Sequence, residues 1–155
     1  MVEVMFIVSD KCDNHVSKEV IIKELKKFPD WIKEKIGKVC FTPHIHNKII
    51  VYKEGRGILV APYSEDTIVF GLTYIISSLI LKYVLGSDAY LRFVGIAIDR
   101  PFGDIPVTED FCRSMVLYLT DKRELSKLSP QRYERMRVIY NSLSSSKFEE
   151  VNENA

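Results

Sequence analysis

The stretch Thr67 to Leu85, TIVFGLTYIISSLILKYVL, carries a single charge, Lys82, and is apolar nearly all the way round. A helix with that pattern cannot lay one stripe on a core and leave the rest in water, so the other elements must cover it on several sides. Ser64, followed by Glu65 and Asp66, reads as its start, because a side-chain oxygen caps free amides and acids meet the positive dipole end. Gly86 reads as its stop. The uncharged run Thr67 to Leu81 is fifteen residues, short of the ~20 a bilayer crossing needs, and it contains Gly71, Thr73, Ser77 and Ser78. The expectation is a buried core helix in a cytoplasmic protein, without a membrane partner.

A chain of 155 residues, 46% hydrophobic and 28% charged, suits one domain with a sizeable core. That domain is expected over residues 1–144, with 145–155 a disordered acidic tail carrying Glu149, Glu150 and Glu153. Cys12, Cys40 and Cys112 are widely spaced and lack a CxxC pair, so they read as reduced thiols rather than a disulfide or zinc framework. Met1 to Ser9 lacks the basic start of a secretion signal. The net charge of +1 is neutral on nucleic acid, but its distribution is not. Lys122, Arg123, Lys127, Arg132, Arg135, Arg137 and Lys147 outnumber Asp121, Glu124 and Glu134 in the same segment. Gln131 is the lone glutamine while Ile, Lys and Glu abound, a bias toward a thermophile.

Val2 to Ser9 reads as a buried strand, and Val20, Ile21, Leu25, Phe28, Ile32 and Ile36 recur at helical spacing behind a Ser17 cap. Pro29 inside that pattern predicts a kink or a second helix, and Gly37 a stop. Lys38 to Thr42 can start a strand. Lys48 to Tyr52 and Gly57 to Tyr63 flank a glycine-containing turn and predict a hairpin. After the central helix, Ala89 to Asp99 reads as a strand, Thr108 caps a helix to about Thr120, and Ser129-Pro130 opens a last helix to about Leu143. The order β-α-β-β-α-β-α-α places the chain in the α+β class. Its first six elements match the ferredoxin-like β-α-β-β-α-β core, with two additional C-terminal helices around the central one; a three-layer α+β arrangement is the alternative.

Pro43-His44-Ile45-His46, if extended, aims two imidazoles to one side, where both nitrogens can reach one divalent ion. The motif resembles the His-hydrophobic-His of HUH endonucleases and rolling-circle initiators. That resemblance implies His44 and His46 as ligands of Mg or Mn in a single-stranded DNA nuclease, Tyr118 as nucleophile and Lys122 as its helper, with Asp10 or Glu3 completing the metal site. Asn47 and Lys48 depart from the apolar continuation of that motif.

Glu54-Gly55-Arg56-Gly57 offers backbone amides and a guanidinium to a phosphate. It resembles the basic-glycine start of an RRM strand motif, with Ile58 and Val60 where stacking aromatics would stand. On the last helix Arg132 and Arg135 share a face, Arg137 projects elsewhere, and Met136, Ile139 and Leu143 form a docking stripe. Tyr133 and Tyr140 read as docking aromatics. Cys112, with Phe111 and Met115 nearby, reads as a small core residue. Phe28-Pro29-Asp30-Trp31-Ile32-Lys33 is similar to the start of the iron–sulfur domain of archaeal primase large subunits, with Trp31 in the place of a cluster cysteine. That likeness implies a metal-free replication accessory protein. The expected function is therefore a non-catalytic binding or accessory subunit, needing no cofactor and joining single-stranded nucleic acid or a nucleotide, and a larger protein complex. Lys127, Arg132, Arg135, Arg137 and Arg56 are its expected contacts. The HUH-type nuclease and a structural protein–protein interaction subunit are the alternatives.

Overall fold

The computed structural model describes residues 4–8, 15–42, 50–61, 64–85 and 101–143. They form an α+β protein with a four-stranded mixed sheet and, among the described residues, six helices, three of them C-terminal. The chain divides into two compact units, Met1–Ile75 and Ile76–Ala155, and the boundary falls inside the central helix.

The first unit contains β1 (Met5–Val8), α1 (His15–Leu25), α2 (Asp30–Ile36), β2 (Lys38–Phe41), β3 (Ile50–Lys53), β4 (Gly57–Val60) and the start of α3 (Glu65–Ile80). Proline has no N–H to continue a helical ladder, and its fixed φ suits a helix entrance, so Pro29 stands extended just ahead of α2. Gly37 ends α2 at φ +74 while its N–H donates to the Lys33 carbonyl at 2.9 Å. Ser17, expected as a cap, lies inside α1, which begins at His15.

The sheet order is β1-β2-β4-β3, with β1 parallel to β2, β2 parallel to β4, and β3 antiparallel to β4. This departs from the expected ferredoxin-like core. In a split βαβ another strand separates the two parallel strands, whereas here β1 and β2 pair directly, Met5 opposite Lys38 through Val8 opposite Phe41. Lys38–Phe41 is a full central strand, and the hairpin joins it through β4. The expected strand Ala89 to Asp99 lies outside the described residues.

Side chains alternate across a sheet, so the registers sort each strand into two faces. Phe6, Val39, Phe41, Ile58, Val60, Ile50 and Tyr52 share the inner face. All three helices of this unit touch it. The Lys18 ammonium of α1 sits 5.3 Å from the Phe6 ring centroid, and the Tyr52 hydroxyl donates to the Lys35 carbonyl of α2 at 3.1 Å. In α3, a Cβ on Gly71 would lie 2.4 Å from Ile50 Cγ2, so a side chain there would hold helix and strand apart. Val39, Phe41, Ile58 and Val60 are buried, while Met5, Ile7 and Leu59 on the outer face are 62%, 43% and 40% exposed. Ile58 and Val60 thus point into the core, and the outward positions of β4 are Gly57 and Leu59. Trp31, Ile32, Ile36 and Phe28 fill the core beside α2.

Glu24 of α1 is buried and joins α1 to α3, accepting from the Thr73 hydroxyl at 2.8 Å and pairing with Lys27 at 2.8 Å. At the start of α3 the Ser64 carbonyl accepts the Ile68 N–H at 3.1 Å and the Ser64 hydroxyl lies 2.7 Å from that of Thr67. Ile68, Leu72, Ile76 and Ile80 are buried at helical spacing. Glu65–Tyr83, of mean hydropathy 1.3, is long and apolar enough to cross a membrane by length and composition. Phe70 on it is 47% exposed and rests against Tyr74.

In the second unit α3 runs into a π-helical turn, Leu81–Leu85, and α4 (Val107–Thr120), α5 (Lys122–Leu128) and α6 (Pro130–Ser142) follow. Pro106 holds the cap position expected for Thr108, which lies inside α4. Ser129 caps α6 by accepting the Arg132 N–H at 3.0 Å. The sequence reading passed over α5, although Asp121-x-x-Glu124 is a helix-start pattern and the Asp121 carboxylate accepts the Glu124 N–H at 3.2 Å. Phe111, Met115, Leu125, Met136, Ile139 and Leu143 are buried, as the apolar stripe of α6 implies. Cys112 is buried 3.8 Å from the Ser78 hydroxyl, and burial pushes its thiol up to about 11.

Two measurements check this packing. Gly57 has φ +92 and a Cβ would sit 2.2 Å from the Lys38 carbonyl oxygen, whereas Gly55, at φ +80, faces open space. Gly57→Ala should therefore cost ~3 kcal/mol or more in thermal unfolding, and Gly55→Ala ~1–2 kcal/mol for its backbone alone; equal losses would place β4 differently against β2. For Cys112 the folded state keeps a proton that the unfolded thiol loses near its ordinary value of 9, so stability is complete below that pH and falls as pH rises toward about 11. Urea unfolding should show that decline in the wild type and a weaker one in Cys112→Ala. Parallel pH profiles would contradict it.

Candidate nucleic-acid interface

In the second unit, the sequence placed Arg132, Arg135, Arg137 and Lys127 on a basic surface. The structure separates them. Arg132 is 2% exposed, forms an ion pair with Asp110, and donates to the Ser114 hydroxyl at 3.1 Å. That hydroxyl in turn donates to the Asp110 carbonyl at 2.8 Å. The guanidinium therefore ties α6 to α4 in a low-dielectric site, where a charge persists only with a partner. The signal was legible: Arg132 falls on the helical stripe that Met136 and Ile139 define.

Arg137 donates through Nε to Glu134 at 3.0 Å and pairs with it through a second nitrogen, and that hydrogen bond holds the Glu134 carboxyl below its usual range. Arg135 is half-buried, with Nε shielded from solvent. Lys127 and its helical neighbour Arg123 on α5 are exposed and form no ion pair among the described residues.

Tyr118 is 3% exposed, with the rings of Tyr133 and Tyr140 at 5.9 and 5.6 Å and the Lys122 ammonium 4.8 Å from its own ring centroid. Burial first, then the neighbouring Tyr133 and Tyr140, pushes its phenol above the ordinary value. A nucleophilic tyrosine needs the opposite shift and an approachable oxygen. Tyr118 and Lys122 are thus brought together, but as ring and covering cation. His44, His46, Glu3 and Asp10 lie outside the described residues, among which no group of three or more His, Cys, Asp or Glu could hold a metal.

In the first unit Arg56 is exposed at the hairpin tip, its N–H closing the turn onto the Lys53 carbonyl at 2.9 Å. Gly57 is required here by its contact with Lys38, so it answers to strand packing before any ligand, while Gly55 supplies the positive φ of the turn. The registers add residues that the sequence reading missed. Met5, Lys38, Gly57 and Lys53 form one row across the outer face, and Ile7, Cys40, Leu59 and Val51 form the next. Lys38, whose Cγ would lie 2.8 Å from a Cβ on Gly57, stretches over that glycine. Lys38 is half-buried and Lys53 exposed; neither they nor Arg56 form an ion pair among the described residues. The single acid of the turn, Glu54, acts on the Tyr52 phenol, which burial and then Glu54 push upward. Arg56 and the α5 cations belong to different units.

Comparison with protein-family models, with curated proteins and with solved structures finds no match to this chain.

Arg132→Ala strands the Asp110 carboxylate in a site where it is 7% exposed, and should cost ~3–5 kcal/mol in urea unfolding. Arg132→Met with Asp110→Leu removes both charges and should recover most of that loss. A full penalty in the double variant would mean that packing, rather than the stranded charge, sets the cost.

Proposed function

We propose that this protein is a non-catalytic accessory subunit that binds single-stranded nucleic acid through exposed cations. The observation carrying this reading is the contrast in how the basic residues are used. Arg132, Arg137, Arg113, Lys33 and Lys27 are each engaged by a carboxylate. Lys38, Lys53 and Arg56 in the first unit, and Arg123 and Lys127 in the second, have no such partner among the described residues and are at least partly exposed. Unpaired surface cations with few acids beside them release counterions when they meet phosphates, which is the main source of sequence-independent affinity. Among the described residues, Glu24, Cys112 and Tyr118 are buried in packing.

Fluorescence anisotropy with a labelled oligothymidylate of about 20 nucleotides, longer than the ~4–16 that small single-strand-binding folds occupy, tests the reading. Contacts to about three to five phosphates predict that log K falls with log salt at a slope between about −2 and −3.5. Arg132 should be left intact, because its loss strands the buried Asp110 carboxylate and destabilises the second unit. No binding at about 50 mM salt, or an affinity indifferent to salt, would overturn the proposal.

A further inference from the structure

We infer that the outer face of the sheet is where a single strand binds, with phosphates along the Lys38–Lys53 row and at Arg56, and bases on the aliphatic row beside it. This rests on the reading above and names its site. Three observations meet on this face. First, α1, α2 and α3 all contact the inner face, at Phe6, Tyr52 and Ile50, and the outer one keeps Met5, Ile7 and Leu59 exposed at 62%, 43% and 40%. Second, the two rows differ in chemistry. Lysines flank a glycine in one, and Ile7, Cys40, Leu59 and Val51 make the other. Strands lie ~4.8 Å apart, which sets Lys38 and Lys53 ~10 Å apart at their backbones, and the rows are ~6.6 Å apart along the strands. Third, Lys38, Lys53 and Arg56 form no ion pair among the described residues, and the acid of this turn is Glu54.

A polyanion with flat apolar faces matches that pairing of rows. A duplex keeps its base faces stacked, so it offers this sheet phosphates and base edges but no apolar base face for the aliphatic row, and an unpaired strand is the occupant. No aromatic stands on either row, so bases rest on aliphatic carbon without the stacking that aromatic platforms supply. Phosphate contacts then dominate, and base preference should be weak.

The test uses the full chain with labelled oligothymidylate and oligouridylate. Three cations give a salt slope of about −2, and Lys38→Gln with Lys53→Gln should flatten it to about −0.7. Leu59→Tyr places an aromatic ring on the open face and should tighten binding at least about fivefold, a gain that misfolding cannot mimic. Arg123→Gln with Lys127→Gln should lower slope and affinity less than the sheet pair does. If the wild type binds but responds to the α5 pair and not to the sheet variants, the inference fails while the proposed function stands. If the wild type binds neither oligonucleotide, the function itself fails. Concentration-dependent self-association that Leu59→Asp abolishes, with no oligonucleotide competing, would assign the face to a second copy and overturn the inference.

Discussion

The sheet of the first unit buries Val39, Phe41, Ile58 and Val60 on one face and leaves Met5, Ile7 and Leu59 exposed on the other, and the close approach of α3 to β3 at Gly71 lies on the buried side. With no side chain on Gly71, the helix comes close enough for Ile50 to occupy the space a Cβ would need. Glu24 then ties α1 to Thr73 of the same helix, and Tyr52 holds the end of α2. Each described helix of this unit thereby meets the inner face, at Phe6, Tyr52 and Ile50. Hydrophobic burial of this kind is non-directional, contributing ~1.5–3 kcal/mol for each large aliphatic side chain, so what makes it one-sided is the strand alternation beneath it. Met5, Ile7 and Leu59 are the consequence.

The second unit solves a different problem. Its three short helices turn sharply at Asp121 and Ser129, side-chain caps that each satisfy an amide the next helix would otherwise leave bare. Arg132 is placed by the same Ser129 cap that starts its helix, and from there its guanidinium reaches Asp110 and Ser114 on α4. A buried ion pair need not add stability over a well-packed apolar one, yet breaking it is costly. It fixes which residues of α6 face α4, and so it leaves Arg137 and Val138 toward the outside.

Proline and glycine signals in the sequence were dependable, whereas the Ser17 and Thr108 caps fell inside their helices. Pro29 and Gly37 bound α2, the Glu54-Gly55 turn makes the hairpin, and Ser129-Pro130 opens α6, because each depends on the backbone chemistry of a few adjacent residues. Strand order was not legible, since β1 pairing directly with β2 is settled by how the α1–α2 crossover closes. The faces of β4 were not legible for a related reason. Gly57 to Val60 is apolar throughout, and only the register against β2 and β3 shows that Leu59 points outward while Ile58 and Val60 point in. Among the candidate contacts, Arg56 stands exposed where the turn chemistry put it. Arg132 was taken for a surface charge because its partner is distant in sequence, and Lys38 and Lys53 went unnoticed because a row across a sheet exists only after pairing.

The allocation of residues between the two faces is what every functional statement above depends on, and solvent paramagnetic relaxation of methyl signals reads it directly. With a soluble gadolinium chelate, the methyl resonances of Met5, Ile7 and Leu59 should broaden strongly, while those of Val39, Ile58 and Val60 stay sharp. If Ile7 and Leu59 prove as protected as Ile58, the outer face is covered in solution and the account of this sheet is wrong.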